Sequence, residues 1–242
     1  MTPEEAVEEV RKRVFRVQAG CAGKVGVGTA FMIARLHPSN RIIVATARHL
    51  LEFPVDARVT WCFQCLAEDG SVVGECRFAS DESKPEERPY RFYKHADVGF
   101  CVLPPQEQVS EGQPVRDDLI PLPVISQGRR LAQGARVAWA GFPLKVEKFL
   151  GQPQLCYFEG VVSAFHADGS RGRYVVDGHN ARGVSGGPVW HWPDSGTGIE
   201  IAGIVAAYGL QESDMPGFCV FEPINPVVAF IRSQYKGQRV DT

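Results

Sequence analysis

Gly183-Val184-Ser185-Gly186-Gly187-Pro188 sets one serine hydroxyl inside a knot of glycines. Such a hydroxyl is a weak nucleophile at neutral pH. To do chemistry it needs a base within hydrogen-bond reach, an acid to orient the base, and donors for the oxyanion formed on attack. Six histidines are candidates for the base: His37, His49, His95, His166, His179 and His191. Gly183–Gly187 also fits the G-x-S-x-G elbow, whose partners follow in the order Ser, acid, His. After Ser185 only His191 remains, six residues on and in the same strand-turn segment, which is too near to return from another part of a fold. The opposite order fits better. His49 follows the apolar run Ile42–Ala47, Asp97 opens the run Val98–Leu103, and Ser185 comes third. Each of the three alone has a plain structural role, as strand-end histidine, strand cap or turn serine; their joint order carries the chemistry. His95 and His191 read as surface or loop residues.

The elements that must position these groups are mostly strands. Thr2-Pro3-Glu4-Glu5 is a capping box with proline at the first helical position, predicting a short helix over residues 3–13 with Ala6, Val7 and Val10 inward. From Val14 onward, short runs rich in β-branched and aromatic residues alternate with turns. Asp69-Gly70 predicts a hairpin between 58–66 and 72–79. The charged stretch 80–92 reads as an exposed loop, and the proline-bearing stretch 104–129 as a linker. The second half repeats the strand grammar. Asn225 as N-cap, Pro226 and Gly237 frame a closing helix whose Val227, Phe230, Ile231 and Tyr235 face the body. The predicted division is an N-terminal helix (1–13), a first β-barrel (14–103), a linker (104–129), a second β-barrel (130–224) and a C-terminal helix and tail (225–242). Two six-stranded halves with almost no internal helix argue for paired barrels or a sandwich rather than a βαβ sheet.

At 242 residues, 44% apolar and 22% charged, the chain has an ordinary globular composition and is long enough for a large core without staples. The net charge of -2 gives no case for nucleic acid or an acidic membrane as partner. The run Ile201–Leu210 falls short of the roughly 18 apolar residues of a spanning helix. The acidic N-terminus does not look like a secretory signal, so a cytoplasmic location is expected. The seven cysteines are odd in number and dispersed, which suits a reducing compartment. Cys62 and Cys65, with Cys76 downstream, have metal-like spacing, but on a strand they point to opposite faces and no second pair matches. No metal or cofactor is expected.

Thr46-Ala47-Arg48-His49, Asp97-Val98-Gly99-Phe100 and Gly183–Pro188 together resemble the three signature blocks of trypsin-like, chymotrypsin-fold serine proteases. Gly28-Thr29-Ala30-Phe31 resembles the strand before the histidine, Gly203–Gly209 the strand lining the cleft, and Pro216–Val220 the strand closing the specificity pocket. The likeness runs from about residue 14 to 236. It implies an all-β fold of two six-stranded antiparallel barrels flanked by short terminal helices. It further implies a serine endopeptidase with Ser185 as nucleophile, His49 as base, Asp97 as orienting acid, and the Gly183 and Ser185 amides as oxyanion hole. By family position His179 lies near the base of the substrate pocket, and Ala206, Ala207, Tyr208 and Gly217 line its walls.

The departures matter too. The secreted digestive branch pairs a cleaved N-terminus with an Asp just before the nucleophile; here that position is Val184, and no Ile-Val-Gly-Gly-type sequence occurs. Leu50, not cysteine, follows His49. The first points to an enzyme made without a zymogen step, closer to bacterial high-temperature-requirement proteases or viral members, and both agree with a cytoplasmic location. With no acid at the pocket base, cleavage after Arg or Lys is not expected; a small, apolar or acidic side chain fits, with His179 as partner in the acidic case. The expected partners are a protein or peptide substrate and, compatibly, a regulatory protein. Two alternatives stay open: a catalytically silent peptide-binding module and an esterase using the same triad.

Overall fold

Strands that are apolar at nearly every position need cover on both faces. The structure, a computed structural model, describes residues 1–54, 57–84, 87–93, 95–104, 119–168, 171–194, 196, 198–206 and 218–242. In the first half, β1 (Val14–Cys21), β2 (Lys24–His37), β3 (Arg41–Ala47), β4 (Arg58–Leu66), β5 (Val72–Asp81), β6 (Tyr90–Tyr93) and β7 (Val98–Val102) join in the order β5-β4-β1-β2-β3-β7-β6. In the second half, β8 (Arg136–Gly141), β9 (Cys156–Asp168), β10 (Arg171–Asp177), β11 (Pro188–His191), β12 (Glu200–Val205) and β13 (Phe218–Pro223) close into a six-stranded antiparallel barrel. A last strand, β14 (Arg239–Asp241), crosses back from the tail to pair with β2. The first half therefore carries strands beyond the six expected: β6 comes out of the stretch read as a loop, and β14 out of the tail.

The long apolar runs follow from this arrangement. Phe15 and Val17 of β1 cluster with Val59, Trp61 and Phe63 of β4 in the first half's own core. Phe31, Ile43, Val98 and Phe100 instead join Trp139, Trp190, Ile204 and Phe221 of the second half in one continuous cluster. Ala6 and Val10 of helix α1 (Pro3–Arg11) and Val227 and Ile231 of helix α3 (Asn225–Gln234) complete that cluster.

The Thr2–Glu5 capping box forms as expected, with Glu5 N–H donating to Thr2 Oγ1 at 3.2 Å and Thr2 N–H to Glu5 Oε2 at 2.7 Å. Asn225 does not cap α3. Ile224 holds the cap position, and the Asn225 amide donates to the Ser126 carbonyl at 3.1 Å. Helix α2 (Leu144–Leu150) was not expected; Pro143 precedes it, and Gly151 ends it at φ +75°. Glu147 of α2 ties it to β1 through Arg16 (2.7 Å). Residues 105–118 of the expected linker lie outside the described residues, while Ile125 is buried and its amide donates to Ile201 O at 2.9 Å. No helix among the described residues is long and apolar enough to cross a membrane.

Cys65 and Cys76 pack on the first half's core, whereas Cys62 lies against Glu75. Burial pushes the thiols up, Cys62 to about 11, Cys65, Cys76 and Cys219 to about 12, and Cys101 well above its usual value. Since the thiolate is the reactive form, Cys76, Cys101 and Cys219 should resist iodoacetamide at pH 8 in the folded protein. All seven cysteines should react in urea, a difference read by peptide mass spectrometry.

Glu222 on β13 is 2% exposed and accepts from Arg173 Nε at 2.8 Å. Burial raises its carboxyl above the usual value, against the pull of Arg173 and of the Asp97 backbone amide; the Asp97 carboxylate adds to the rise. A raised carboxyl binds its proton more tightly in the folded chain. Its contribution is therefore full below the unfolded pKa and lost as pH climbs through the folded value. Arg173→Ala removes the compensating cation and raises the carboxyl further. Urea unfolding should show a loss of about 1–3 kcal/mol at pH 7.5, less than for a fully buried pair because Arg173 is partly exposed. The loss should shrink as pH falls and Glu222 takes up its proton.

Candidate active site

His49 and Asp97 are brought together by a strand register. β3 and β7 pair antiparallel through Ala47↔Val98, and Arg48 N–H extends the ladder by one step to Asp97 O at 3.2 Å. The chain then turns into a single 3-10 turn, Arg48–Leu50, which swings His49 over the end of β7. Asp97 takes His49 with both oxygens. Oδ1 accepts the His49 backbone amide at 3.1 Å, and Oδ2 lies 2.9 Å from Nδ1. With Nδ1–H donating to the carboxylate, the neutral ring presents its lone pair at Nε2. His49 is 39% exposed, open to a reactant on its outer edge.

Ser185 sits in the turn between β10 and β11 and is 6% exposed. Its hydroxyl has no hydrogen-bond partner among the described residues. The turn packs directly on β3, the strand that leads to His49: a Cβ on Gly186 would lie 2.4 Å from Thr46 Oγ1 and 2.8 Å from Ala47 N. Gly186, at φ +87°, has no room there for any side chain.

The peptide groups of this turn are almost fully satisfied. Arg182 O accepts from Leu144 N–H (2.9 Å), Gly183 O from Thr29 Oγ1 (2.6 Å), Val184 O from Gly187 N–H (2.9 Å) and Ser185 O from Thr29 N–H (3.0 Å). Val184 N–H donates to Ala181 O (3.2 Å) and Gly186 N–H to Val205 O (2.8 Å). Among the buried residues of the turn, 183–187, two amides are without an acceptor: those of Gly183 and Ser185. Buried N–H groups left unpaired are rare. Two beside a serine form a place where a developing negative oxygen would find donors.

Of the pocket residues, Ala206 is buried at the end of β12, its amide donating to Val220 O at 3.0 Å, and His179 is exposed. Ala207, Tyr208 and Gly217 lie outside the described residues. His95 is exposed as expected, but His191 is not a surface residue. It is 4% exposed on β11 and lies 3.1 Å from Glu200 Oε2. Among the described residues no group of three His, Cys, Asp or Glu side chains could hold a metal ion. Sequence reasoning missed the parts played by Thr29 and the Leu144 amide. Thr29 did leave a signal, as the polar side chain at the head of the apolar run Ala30–Ile33.

Two antiparallel halves, with the Ser185 turn packed on the strand that leads to His49, have the architecture of the two-barrel proteases. The profile of the trypsin-like peptidase domain family matches residues 28–196, more than half of the chain, and the chain belongs to that family. No curated protein sequence matches it. Among solved structures it is similar to the thermostable serine protease AL20 from an extremophilic microorganism, at 18% identity and a TM-score of 0.62, covering 94% of this chain and 98% of that one. It is also similar to the catalytically active tobacco etch virus protease complexed with product, at 11% identity and a TM-score of 0.56, covering 96% of this chain and 82% of that one. At such identities these likenesses concern the fold.

Proposed function

We propose that this peptidase is a serine endopeptidase that works through His49, Asp97 and Ser185 and needs no zymogen-type N-terminal processing. Ser185 Oγ attacks the scissile carbonyl carbon while His49 Nε2 takes its proton. The oxygen that becomes negative is held by the Gly183 and Ser185 amides. The imidazolium, steadied by Asp97, then protonates the leaving amine, and water repeats the sequence on the acyl-enzyme. The observation that carries the reading is the pair of unpaired buried amides flanking Val184, in a turn where Val184, Gly186 and Gly187 all donate to backbone oxygens. The open Ser185 hydroxyl agrees with it, since catalytic hydrogen bonds commonly tighten only when substrate binds. Val184 is fully buried and apolar, so no carboxylate at that position awaits a new α-amino group.

The substrate is proposed to be a protein or peptide met in the cytoplasm. His179, Ala206, Ala207, Tyr208 and Gly217 would shape a pocket for a small, apolar or acidic side chain. A fluorophosphonate probe tests the reading directly. The native protein should label, and Ser185→Ala and His49→Ala should not. Labelling that survives in Ser185→Ala rejects Ser185 as nucleophile, and a native protein that never labels favours a silent peptide-binding module. Comparing matched ester and amide substrates separates an esterase from a peptidase.

A further inference from the structure

We infer that the Ser185 turn is locked, with the Gly183 amide left free to donate, by uncharged hydrogen bonds from Thr29 and from the Leu144 amide, which makes Thr29 a positioning residue of the site. The inference rests on the proposed roles of Gly183 and Ser185, and it answers what a buried valine at 184 leaves open.

In a trans peptide the C=O of one residue and the N–H of the next point in opposite directions. Whatever holds the Arg182 carbonyl therefore aims the Gly183 amide. Gly183 is at φ +96°, where the absence of Cβ makes rotation of the neighbouring peptide easy. A half-turn of the Arg182–Gly183 peptide would bring a carbonyl oxygen where the donor now stands. The Leu144 N–H, 2.9 Å from Arg182 O, opposes that rotation.

Thr29 fixes the next peptide of the turn, Gly183–Val184. Its hydroxyl accepts from Phe142 N–H at 3.1 Å, so the single hydroxyl proton is left for Gly183 O, 2.6 Å away. Its backbone N–H holds Ser185 O, and its own carbonyl accepts from Thr46 Oγ1 at 2.6 Å. All of its polar groups are thus engaged, and the residue is fully buried. Thr46 lies on β3, three residues before His49, so one buried threonine links the donor turn to the strand of the base. Gly141 leaves room for this contact: a Cβ there would lie 2.7 Å from Val184 Cα and 2.8 Å from Thr29 Oγ1.

Substitutions at two positions test the lock from opposite sides. Thr29→Val keeps the shape and removes the hydroxyl, and Thr29→Ser returns the hydroxyl. Leu144→Pro removes the other donor at the first residue of α2, after a Pro143 at ψ 123°, a position and a preceding conformation that proline accepts. Leu144→Ala removes the side chain but keeps the amide. The rate of fluorophosphonate labelling should fall about 10²-fold in Thr29→Val and in Leu144→Pro. Thr29→Ser should recover most of the rate, and Leu144→Ala should stay fast.

Hydrogen–deuterium exchange across residues 181–187 should quicken in the two slow variants. That arm is read without any chemistry at Ser185, so it decides on the lock even if the native protein does not label and the nucleophile reading falls. Should Thr29→Val fail to fold, Leu144→Pro decides alone. Native-rate labelling and unchanged exchange in Thr29→Val or Leu144→Pro would overturn the inference, and so would a Thr29→Ser protein as slow as Thr29→Val.

Discussion

Ser185→Ala is expected to lower kcat for peptide hydrolysis by about 10⁵–10⁶-fold, and His49→Ala by a similar factor. In the proposed mechanism Oγ is the atom that forms the bond, and without the His49 lone pair the hydroxyl stays protonated and inert. The decisive measurement is the double variant. Groups that act as a unit lose their effect together, so Ser185→Ala/His49→Ala should be scarcely slower than either single variant. Some residual rate over water should persist in all three, because the Gly183 and Ser185 amides and substrate binding survive. Multiplying losses would show two groups working apart and would exclude the triad. Stability should change little, because His49 is partly exposed and the Ser185 hydroxyl bonds to no described residue.

Asp97→Asn should cost about 10⁴ in kcat at neutral pH with little change in KM or in melting temperature. The asparagine carbonyl still accepts the His49 backbone amide, which Asp97 Oδ1 now takes at 3.1 Å, so the turn keeps its shape. Its NH₂ group, however, donates toward Nδ1 where the carboxylate accepts at 2.9 Å. The ring is then driven to the tautomer protonated at Nε2, with no lone pair left there to take a proton. Nitrogen-15 shifts of the His49 ring would report the switch, and burst kinetics would place the loss in acylation. A loss of less than tenfold, or one confined to KM, would remove Asp97 from the orienting role.

Much of the site could be read from local chemistry. Thr46–His49, Asp97–Phe100 and Gly183–Pro188 are short because each is one strand end or one turn, and strand ends and turns write their demands into adjacent residues. Gly183 and Gly186 are an example: both have positive φ, and a side chain at either would strike a backbone oxygen at about 2.1–2.2 Å, from Phe142 or Thr29. Helix α2 was missed because its seven residues leave no buried face; the apolar Phe149 is 88% exposed, so the usual helical stripe is absent. Strand β14 was missed because Arg239–Asp241 carries no strand pattern of its own, and its pairing is fixed by β2 and by His37 Nε2 at 2.7 Å from Asp241 Oδ2. The helix-capping role expected of Asn225 went to Ile224 because the asparagine amide found Ser126 O within reach.

By itself the amino-acid sequence determined which groups could do chemistry, the two-barrel class and the absence of a charge at Val184. These depend on residue type, order and short-range pattern, which a single chain displays. Only the tertiary structure decided which way the peptides of the Ser185 turn face. That depends on Thr29 and Leu144, separated from Ser185 by more than a hundred residues in one case and by about forty in the other, and on hydrogen bonds through backbone atoms that every residue carries alike. A backbone donor leaves no mark in the sequence, so what holds this site open becomes visible only once the two halves of the chain are packed together.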